Sequence, residues 1–196
     1  MTFILGLTGS IGMGKSTTAL MFADAGIPVW DADAAVHRLY SENTDLIAEI
    51  ETLVPGSSSA EGVQRNALKA AISKDPGALK AIEAAVAPYV AKDRDDFLAR
   101  STSDITLIDH PLLFESGTAK LCHATLTVTT DAATQRERVL ARGTMTAEML
   151  DTILAKQMPD SQKRAQADYI IYTTDRQSAR KQVHQVIRHI RSRHYA

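Results

Sequence analysis

The segment GLTGSIGMGKSTT, residues 6–18, most strongly limits what this chain can fold into. It carries the spacing G-x-x-x-x-G-K-S, with fixed positions at Gly9, Gly14, Lys15 and Ser16. The apolar residues 3–8 before it predict a buried strand, and residues 15–25 after it predict a helix. A glycine-rich turn between a strand and a helix can point backbone N–H groups at phosphate oxygens. The pattern therefore predicts a phosphate-binding loop (P-loop) that holds a nucleoside triphosphate.

The chemistry of such a loop gives each residue type a role. We expect Gly9, Gly12 and Gly14 to allow positive φ angles and close approach of the backbone to phosphate. We expect Lys15 to reach the β- and γ-phosphates of ATP and the Ser16 hydroxyl to bind Mg²⁺. The full predicted nucleotide-binding set is Gly9, Ile11, Gly12, Met13, Gly14, Lys15, Ser16 and Thr17. The alternative for this stretch is a glycine-rich turn with an exposed lysine.

Composition narrows the class of protein. The chain has 196 residues, a net charge of −1 and one cysteine, Cys122, which we expect to be a buried thiol. A near-neutral charge argues against an extended nucleic-acid surface, and one cysteine cannot form a disulfide within the chain. The N-terminus lacks the features of a signal peptide, and no apolar run approaches the roughly 20 residues of a membrane span. We therefore expect a cytoplasmic protein, a monomer or weak homo-oligomer, that binds neither nucleic acid nor a membrane.

Strand-like and helix-like segments alternate along the chain. Further strands are predicted at residues 27–30, 105–109, 124–130 and 168–173. Further helices are predicted in 31–40 and at 44–53, 65–73, 76–100, 131–142, 146–157 and 175–193, with a surface loop at 55–62. Such alternation is typical of an α/β fold with a parallel sheet flanked by helices. We expect Pro88 to kink or break the helix at 76–100.

A second binding surface is predicted between the second and third strands. Residues 32–100 are mostly helical and too many for a simple crossover, so we interpret them as an insertion. Asp31 and Asp33 stand where the second strand ends, and the carboxyl ends of parallel strands face the ligand crevice. One carboxylate could accept the proton of an attacking hydroxyl while the other orients Mg²⁺ waters. The alternative is that Asp31 or Asp33 caps the following helix.

Phosphoryl transfer is favoured over switching. The chain has no Asn-Lys-x-Asp segment of the kind that reads guanine in a GTPase. A transferring enzyme needs basic residues that close over the phosphates, because the transition state carries negative charge on its equatorial oxygens. The candidates in residues 136–164 are Arg136, Arg138, Arg142, Lys156, Lys163 and Arg164. Arg142 is favoured because it precedes a glycine-containing turn, and the alternative for each candidate is a solvated helix face.

Six segments together resemble the dephospho-CoA kinase family over nearly the whole chain. They are LGLTGSIGMGKSTT, VWDADAAVHRLY, EGVQRNAL (61–68), IEAAVAPYV (82–90), IDHPLLFESG (108–117) and QMPDSQKRAQADYII (157–171). Many families share the P-loop, whereas DAD, PLLFE and Q…KR…AD at these separations are far more specific. Several positions depart from the family pattern, including His110 before Pro111 and Met13 in the P-loop. Ala87 replaces a histidine before Pro88, and Tyr172, Thr173 and Thr174 follow the last strand where an asparagine is usual.

The resemblance implies a reaction and an architecture. ATP would phosphorylate the ribose 3′-hydroxyl of dephospho-CoA, giving coenzyme A and ADP, the last step of CoA biosynthesis. The implied fold is a single, adenylate-kinase-like P-loop kinase domain with a core at 1–31, 104–141 and 165–196. A helical CoA-binding insertion at about 32–103 and a lid at about 142–164 complete it. ATP and Mg²⁺ are the implied cofactors, and dephospho-CoA is the implied small-molecule substrate.

Candidate site residues follow from the residues and the resemblance together. The candidate catalytic residues are Lys15, Asp31, Asp33 and Arg142. The candidate metal ligands are Ser16, Asp31 and Asp109. The residues that the resemblance implies as acceptor contacts are Asp33, Arg65, Leu113 and Glu115. Asp33 resembles the family's base, and Asp109 follows an apolar strand where a carboxylate would hold a Mg²⁺ water or merely cap the strand end. Two other functions stay open: a P-loop kinase for a nucleoside, nucleotide or shikimate-like acceptor, and a nucleotide-binding regulator without catalysis.

Overall fold

The structure, a computed structural model, describes residues 2–194. Its strands are β1 (Phe3–Thr8), β2 (Val29–Asp31), β3 (Ser58–Ser59), β4 (Gly62–Val63), β5 (Ile105–Asp109), β6 (Ala124–Thr129) and β7 (Tyr169–Tyr172). Its helices are α1 (Lys15–Asp24), α2 (Ala32–Glu42), α3 (Thr44–Leu53), α4 (Arg65–Lys74), α5 (Pro76–Arg100), α6 (Ala132–Leu140), α7 (Ala147–Lys156), α8 (Asp160–Gln166) and α9 (Arg176–His194). Asp31–Arg100 forms one compact unit, and the rest of the described chain forms another.

Five strands form a parallel sheet in the order β2-β5-β1-β6-β7. Strand β1 lies at its centre, with Leu5 opposite Leu107 of β5 and Ala124 of β6. Every residue of β5 and β6 is buried. This is typical of a parallel sheet that helices cover, and it explains why the strands are long apolar or threonine-containing runs rather than alternating ones. The predicted α/β fold with a parallel sheet flanked by helices is confirmed.

Helices α1 and α9 contact each other and pack on this sheet. The buried side chains of α9 are Ala179, Val183, Val186, Ile187 and Ile190. Their spacing of three or four residues places them on one face of the helix. Phe22 of α1 is completely buried in the same core. The core therefore sets the position of α1 and with it the point where the helix begins, at Lys15.

The unit Asp31–Arg100 has a core of its own. Its buried side chains are Leu39, Leu46, Ile50, Val63, Leu68, Ile82, Ala85 and Val86. Helix α5 contacts α2, α3 and α4, so it is the common support of this unit. Helix α5 also continues through Pro88, so of the two predicted effects, a kink or a break, the break is wrong. Packing of α5 against three other helices outweighs the one backbone hydrogen bond that a proline removes.

Local patterns missed three smaller features. The surface-loop prediction for 55–62 is wrong in part, because β3 and β4 pair there as an antiparallel hairpin. The Glu51 carboxylate holds this hairpin by accepting hydrogen bonds from the backbone N–H groups of Gly56 (2.7 Å) and Ser58 (2.8 Å). Helix α8 was absent from the predicted elements. Cys122, expected to be buried, is partly exposed; it lies between a 3₁₀ turn at Thr118–Leu121 and β6.

A buried lysine joins α8 to the segment that follows β5. The Lys163 side chain is completely buried; its Nζ donates to the Pro111 carbonyl (3.0 Å) and lies 2.8 Å from Oε1 of Glu115. Glu115 also accepts a hydrogen bond from the Met158 N–H (3.0 Å). Burial alone would raise the pKa of the Glu115 carboxyl. The hydrogen bonds, chiefly the one from Lys163, outweigh burial and hold that pKa below its usual value.

We predict that Glu115 contributes to stability in a pH-dependent way. A carboxyl whose pKa is lower in the folded chain stabilises the fold above its usual pKa, and this stabilisation is lost as the pH falls through the folded-state pKa. The free energy of unfolding by urea, measured in steps from neutral to acid pH, should therefore fall less in Glu115→Gln than in the unsubstituted protein. Glu83→Gln, at an exposed position of α5, is the control and should behave like the unsubstituted protein. Equal acid dependence in Glu115→Gln and the unsubstituted protein would contradict this prediction.

Candidate active site

Residues 9–14 connect β1 to α1 through two left-handed glycines. Gly12 has a φ of 79°, and Gly14, directly before α1, has a φ of 88°. A Cβ atom on Gly12 would also lie 2.6 Å from Cγ2 of Val139, so neither the conformation nor the space admits another side chain. The expectation of a positive φ is wrong for Gly9. Gly9 is required for space instead, because a Cβ there would collide with Val128.

Side chains from outside the P-loop hold its backbone. Gln135, buried on α6, donates from Nε2 to the Ile11 carbonyl (2.7 Å), and the Thr173 hydroxyl donates to the Met13 carbonyl (2.7 Å). The Ile11 N–H donates to Oε1 of Gln157 (3.3 Å). Sequence reasoning assigned no role to these three polar side chains. Gln157 opens the segment QMPDSQKRAQADYII, whereas no local signal marks Gln135 or Thr173.

The structure brings two predicted site residues together at the sheet edge. Nζ of Lys15 lies 2.6 Å from Oδ1 of Asp109, and the side chains are 14% and 1% exposed. The pairing of β1 with β5 brings the loop after one strand close to the end of the other. The ion pair holds the Lys15 ammonium at the start of α1, where the helix dipole also favours an anion. This end of α1 can therefore attract an anion through the helix dipole, while Asp109 offsets the charge of Lys15.

A cavity of about 420 Å³ lies beside the P-loop. Its lining includes Gly14, Thr17, Arg138, Arg142, Thr174 and Arg176. Three guanidinium groups on one cavity suit an anionic ligand. Of these, Arg142 was the favoured sequence candidate, and it shares the cavity with P-loop residues. Arg176, the first residue of α9, was not predicted as a phosphate-binding residue because it lies outside the basic segment at 136–164.

Other basic candidates in 136–164 have partners of their own. Arg136 on α6 pairs with Asp151 on α7 (2.7 Å), and both side chains are about half exposed. Arg164 pairs with Asp160 within α8 (2.8 Å). Both pairs agree with the alternative that these arginines lie on solvent-exposed helix faces. Lys163 is not available for phosphate either, because it pairs with Glu115. Lys156 is exposed at the end of α7.

Asp31 and Asp33 differ in what they do at the start of α2. The Asp31 carboxylate accepts a hydrogen bond from the Ala34 N–H (2.9 Å), so Asp31 caps the helix. Asp33 is exposed in the first turn. It borders an open cleft of about 490 Å³ that is also lined by Ala34, His37, Arg38 and Arg65. The capping alternative thus applies to Asp31, and the Asp33 carboxylate stands beside cationic side chains in an accessible cleft.

Leu113 and Glu115 have structural contacts in the PLLFE segment. Leu113 is completely buried, and a Cβ atom on Gly6 would lie 2.8 Å from its Cδ2 atom. Glu115 is held by Lys163. Contact of either residue with an acceptor stays a prediction.

Oxygen ligands suited to Mg²⁺ are available from several candidate residues. The Ser16 hydroxyl is exposed in the first turn of α1, and Asp109 lies at the end of β5. Hydroxyl and carboxylate oxygens are the ligands that this hard cation prefers. Across residues 2–194, no three His, Cys, Asp or Glu side chains are grouped so that they could hold a metal ion.

None of the helices in the described part of the chain has the length and apolar character needed to cross a membrane.

The chain is similar to known proteins over nearly its whole length. The sequence model of the family described as dephospho-CoA kinase (CoaE) matches residues 3–179. A relative named dephospho-CoA kinase, from Cereibacter sphaeroides, is 52% identical over 189 residues, which cover 96% of each chain. Among solved structures, TT1252 from Thermus thermophilus superposes with a TM-score of 0.86 at 32% identity, covering 96% of this chain and 97% of that one.

A second solved structure, a dephospho-CoA kinase from Campylobacter jejuni, superposes with a TM-score of 0.71 at 22% identity. The match covers 97% of this chain and 98% of that one, and it supports the fold. The family match spans most of the chain, and the sequence identity to the Cereibacter relative extends over nearly all of it. The chain therefore belongs to the dephospho-CoA kinase family.

Proposed function

We propose that this chain transfers the γ-phosphoryl group of ATP to the 3′-hydroxyl of the ribose of dephospho-CoA, giving coenzyme A and ADP. This is the reaction of its family, the final step of CoA biosynthesis. The observation that carries the proposal is the family match over residues 3–179, with Lys15 and Ser16 in place in the P-loop. It favours dephospho-CoA over nucleoside or shikimate-like acceptors, and catalysis over a nucleotide-binding regulator.

The P-loop and the cavity beside it would bind ATP. Backbone N–H groups at the start of α1 donate to phosphate oxygens, and the Lys15 ammonium offsets charge on the transferring phosphoryl group. Arg142 and Arg176 line the same cavity. Their guanidinium groups can stabilise the negative charge that spreads over the equatorial oxygens in the transition state.

Asp33 is the proposed general base. As the 3′-oxygen attacks the γ-phosphorus, its proton passes to the Asp33 carboxylate, and the bond from the γ-phosphorus to the oxygen of ADP breaks. Asp33 is accessible and does not cap α2, so its oxygens are available for this proton. His37 and Arg65 border the same cleft and suit the phosphate groups of the acceptor.

Mg²⁺ is the proposed metal cofactor, with ligands from ATP and from this chain. The candidate protein ligands are the Ser16 hydroxyl and the carboxylates of Asp31 and Asp109. When bound, the ion supplies neutralisation of charge on the β- and γ-phosphate oxygens. Asp109 also holds Lys15, so the same carboxylate would influence both cations at the site.

An ADP-release assay tests the proposed reaction. With Mg²⁺ and ATP, we expect ADP release to depend on dephospho-CoA, and mass spectrometry should find a product heavier by one phosphoryl group. Nucleosides, nucleoside monophosphates and shikimate, offered in parallel, should be poor acceptors. Faster turnover with one of them, or ADP release that is independent of dephospho-CoA, would contradict the proposal.

Variants of Lys15 and Asp109 distinguish the effect of Lys15 on activity from its effect on stability. We predict that Lys15→Ala lowers kcat by several orders of magnitude, because it removes charge that acts on the transferring group. The same change removes the cation of a buried ion pair, which costs about 3–5 kcal/mol of stability. The double variant Lys15→Ala/Asp109→Asn should recover much of that stability and none of the activity. Urea unfolding and the ADP assay measure the two effects, and recovery of activity in the double variant would be evidence against the role of Lys15.

Asp33 and Asp31 form a matched pair for testing the base. We predict that Asp33→Asn lowers kcat by about 10²–10⁴-fold with little change in ATP affinity or Tm, because only proton acceptance is lost. Asp31→Ala should instead cost about 1 kcal/mol of stability through loss of the cap, and Asp31→Asn should keep most of that stability. If Asp33→Asn mainly lowered the Tm, Asp33 would be a structural residue and the assignment of the base would be wrong.

A further inference from the structure

Thr173 occupies a buried position between two parts of the nucleotide site. It follows β7 directly, and its N–H donates to the Thr129 carbonyl at the end of β6 (2.8 Å). The Thr173 residue is 7% exposed. Its hydroxyl donates to the Met13 carbonyl in the P-loop (2.7 Å) and accepts a hydrogen bond from Nη1 of Arg138 (3.2 Å). The Thr129 carbonyl lies farther from the hydroxyl oxygen (3.3 Å), so the single hydroxyl proton is directed mainly to Met13.

The contact with Met13 determines how one peptide group of the P-loop is turned. A trans peptide is planar, so its carbonyl and its N–H point in opposite directions, and the described chain has no cis peptide bond. Because the Met13 carbonyl points to Thr173, the Gly14 N–H points away from it. The side chain also packs against Gly14, where a Cβ atom would lie 3.1 Å from both Cβ and Oγ1 of Thr173. Thr173 thus restrains the peptide group and the glycine that precedes Lys15.

Arg138 aligns the Thr173 hydroxyl. Its Nη2 donates to the Thr173 carbonyl (2.7 Å), while Nη1 donates to the hydroxyl oxygen. Because the hydroxyl oxygen accepts a hydrogen bond from Arg138, its own proton points away from Arg138 and is available to the Met13 carbonyl. Gln135, three residues earlier on α6, holds the Ile11 carbonyl. Two neighbouring positions of one helix therefore support the P-loop, one directly and one through Thr173.

We propose that Thr173 is a positioning residue for the nucleotide. Its hydroxyl, aligned by Arg138, holds the Met13–Gly14 peptide so that P-loop N–H groups are oriented for the phosphates of ATP before ATP binds. This inference rests on the proposed function only in taking ATP as the ligand of the P-loop. It assigns Thr173 an effect on nucleotide binding and none on the acceptor.

Replacement of the hydroxyl by a methyl group tests the role. Thr173→Val keeps the volume of the side chain and leaves the buried Met13 carbonyl and the Arg138 guanidinium each short of one hydrogen bond. We expect the KM for ATP and the dissociation constant of a fluorescent ATP analogue to rise about tenfold. The KM for dephospho-CoA should change less than about twofold, because the proposal gives Thr173 an effect on nucleotide binding alone. Thr173→Ser restores the hydroxyl and should return both nucleotide constants to within about twofold of the original values.

Thr52→Val is the matched control. Thr52 lies on α3, is exposed, and donates only to the Ala48 carbonyl one turn earlier (2.9 Å), so the same chemical change there should leave both KM values unaltered. The proposal is overturned if Thr173→Ser is as impaired as Thr173→Val, if both KM values rise together, or if nucleotide affinity does not change. If Thr173→Val does not fold at the assay temperature, Arg138→Lys removes the two-point contact with Thr173 and keeps the positive charge at the cavity. We then expect the KM for ATP to rise several-fold, and an unchanged KM would overturn the proposal.

Failure of this inference is distinguishable from failure of the proposed function. Binding of the fluorescent ATP analogue is measured without an acceptor, so the comparison of Thr173→Val with Thr173→Ser tests positioning even if dephospho-CoA is not phosphorylated. Conversely, turnover of dephospho-CoA with equal nucleotide affinity in all variants would support the reaction and exclude the role of Thr173.

Discussion

The orientation of the P-loop peptide groups is the constraint on which the rest of the site depends. When a side chain outside the P-loop donates a hydrogen bond to a carbonyl of the loop, the N–H of the same peptide group points in the opposite direction. Gln135 holds the Ile11 carbonyl in this way, and Thr173 holds that of Met13. The residues that follow these carbonyls, Gly12 and Gly14, have positive φ angles. The loop is therefore arranged by residues distant in sequence, and a loop arranged in advance lowers the cost of ordering it when a ligand binds.

The order of strands in the sheet brings these distant residues together. Strand β1 lies between β5 and β6, and β7 follows β6. Because parallel strands end at a common edge, the P-loop, Asp109 after the apolar part of β5, and Thr173 after β7 all lie there. A shift of one residue in the register of β5 would turn Asp109 to the other face of the sheet, away from Lys15, and would exchange the buried side chains that β5 packs on its two faces. The packing that stabilises the sheet thus also specifies the ion pair.

Sequence patterns predicted the fold well because its signals are local. The P-loop spacing, the apolar strands and the alternation with helices all lie within short windows. Lys15 and Asp109 were each proposed as site residues, but no local pattern predicts that they pair across the sheet. No role was predicted for Gln135 or Thr173 because a buried amide or hydroxyl has the same sequence signature as an exposed one. Of the kink or break predicted at Pro88, the break is wrong because tertiary packing of α5 overrides a local preference.

Helix α6 connects the shape of the P-loop to the charge of the neighbouring cavity. An arginine paired with a carboxylate adds little net charge to its surroundings, which is the situation of Arg136 with Asp151. Arg138 instead donates to the carbonyls of Thr173 and Thr174, which carry no net charge, so its positive charge is not cancelled. It therefore aligns Thr173 and still contributes positive potential to the cavity beside the P-loop. Since Gln135 lies three residues earlier on the same helix, a displacement of α6 would alter the loop and the potential of the cavity together.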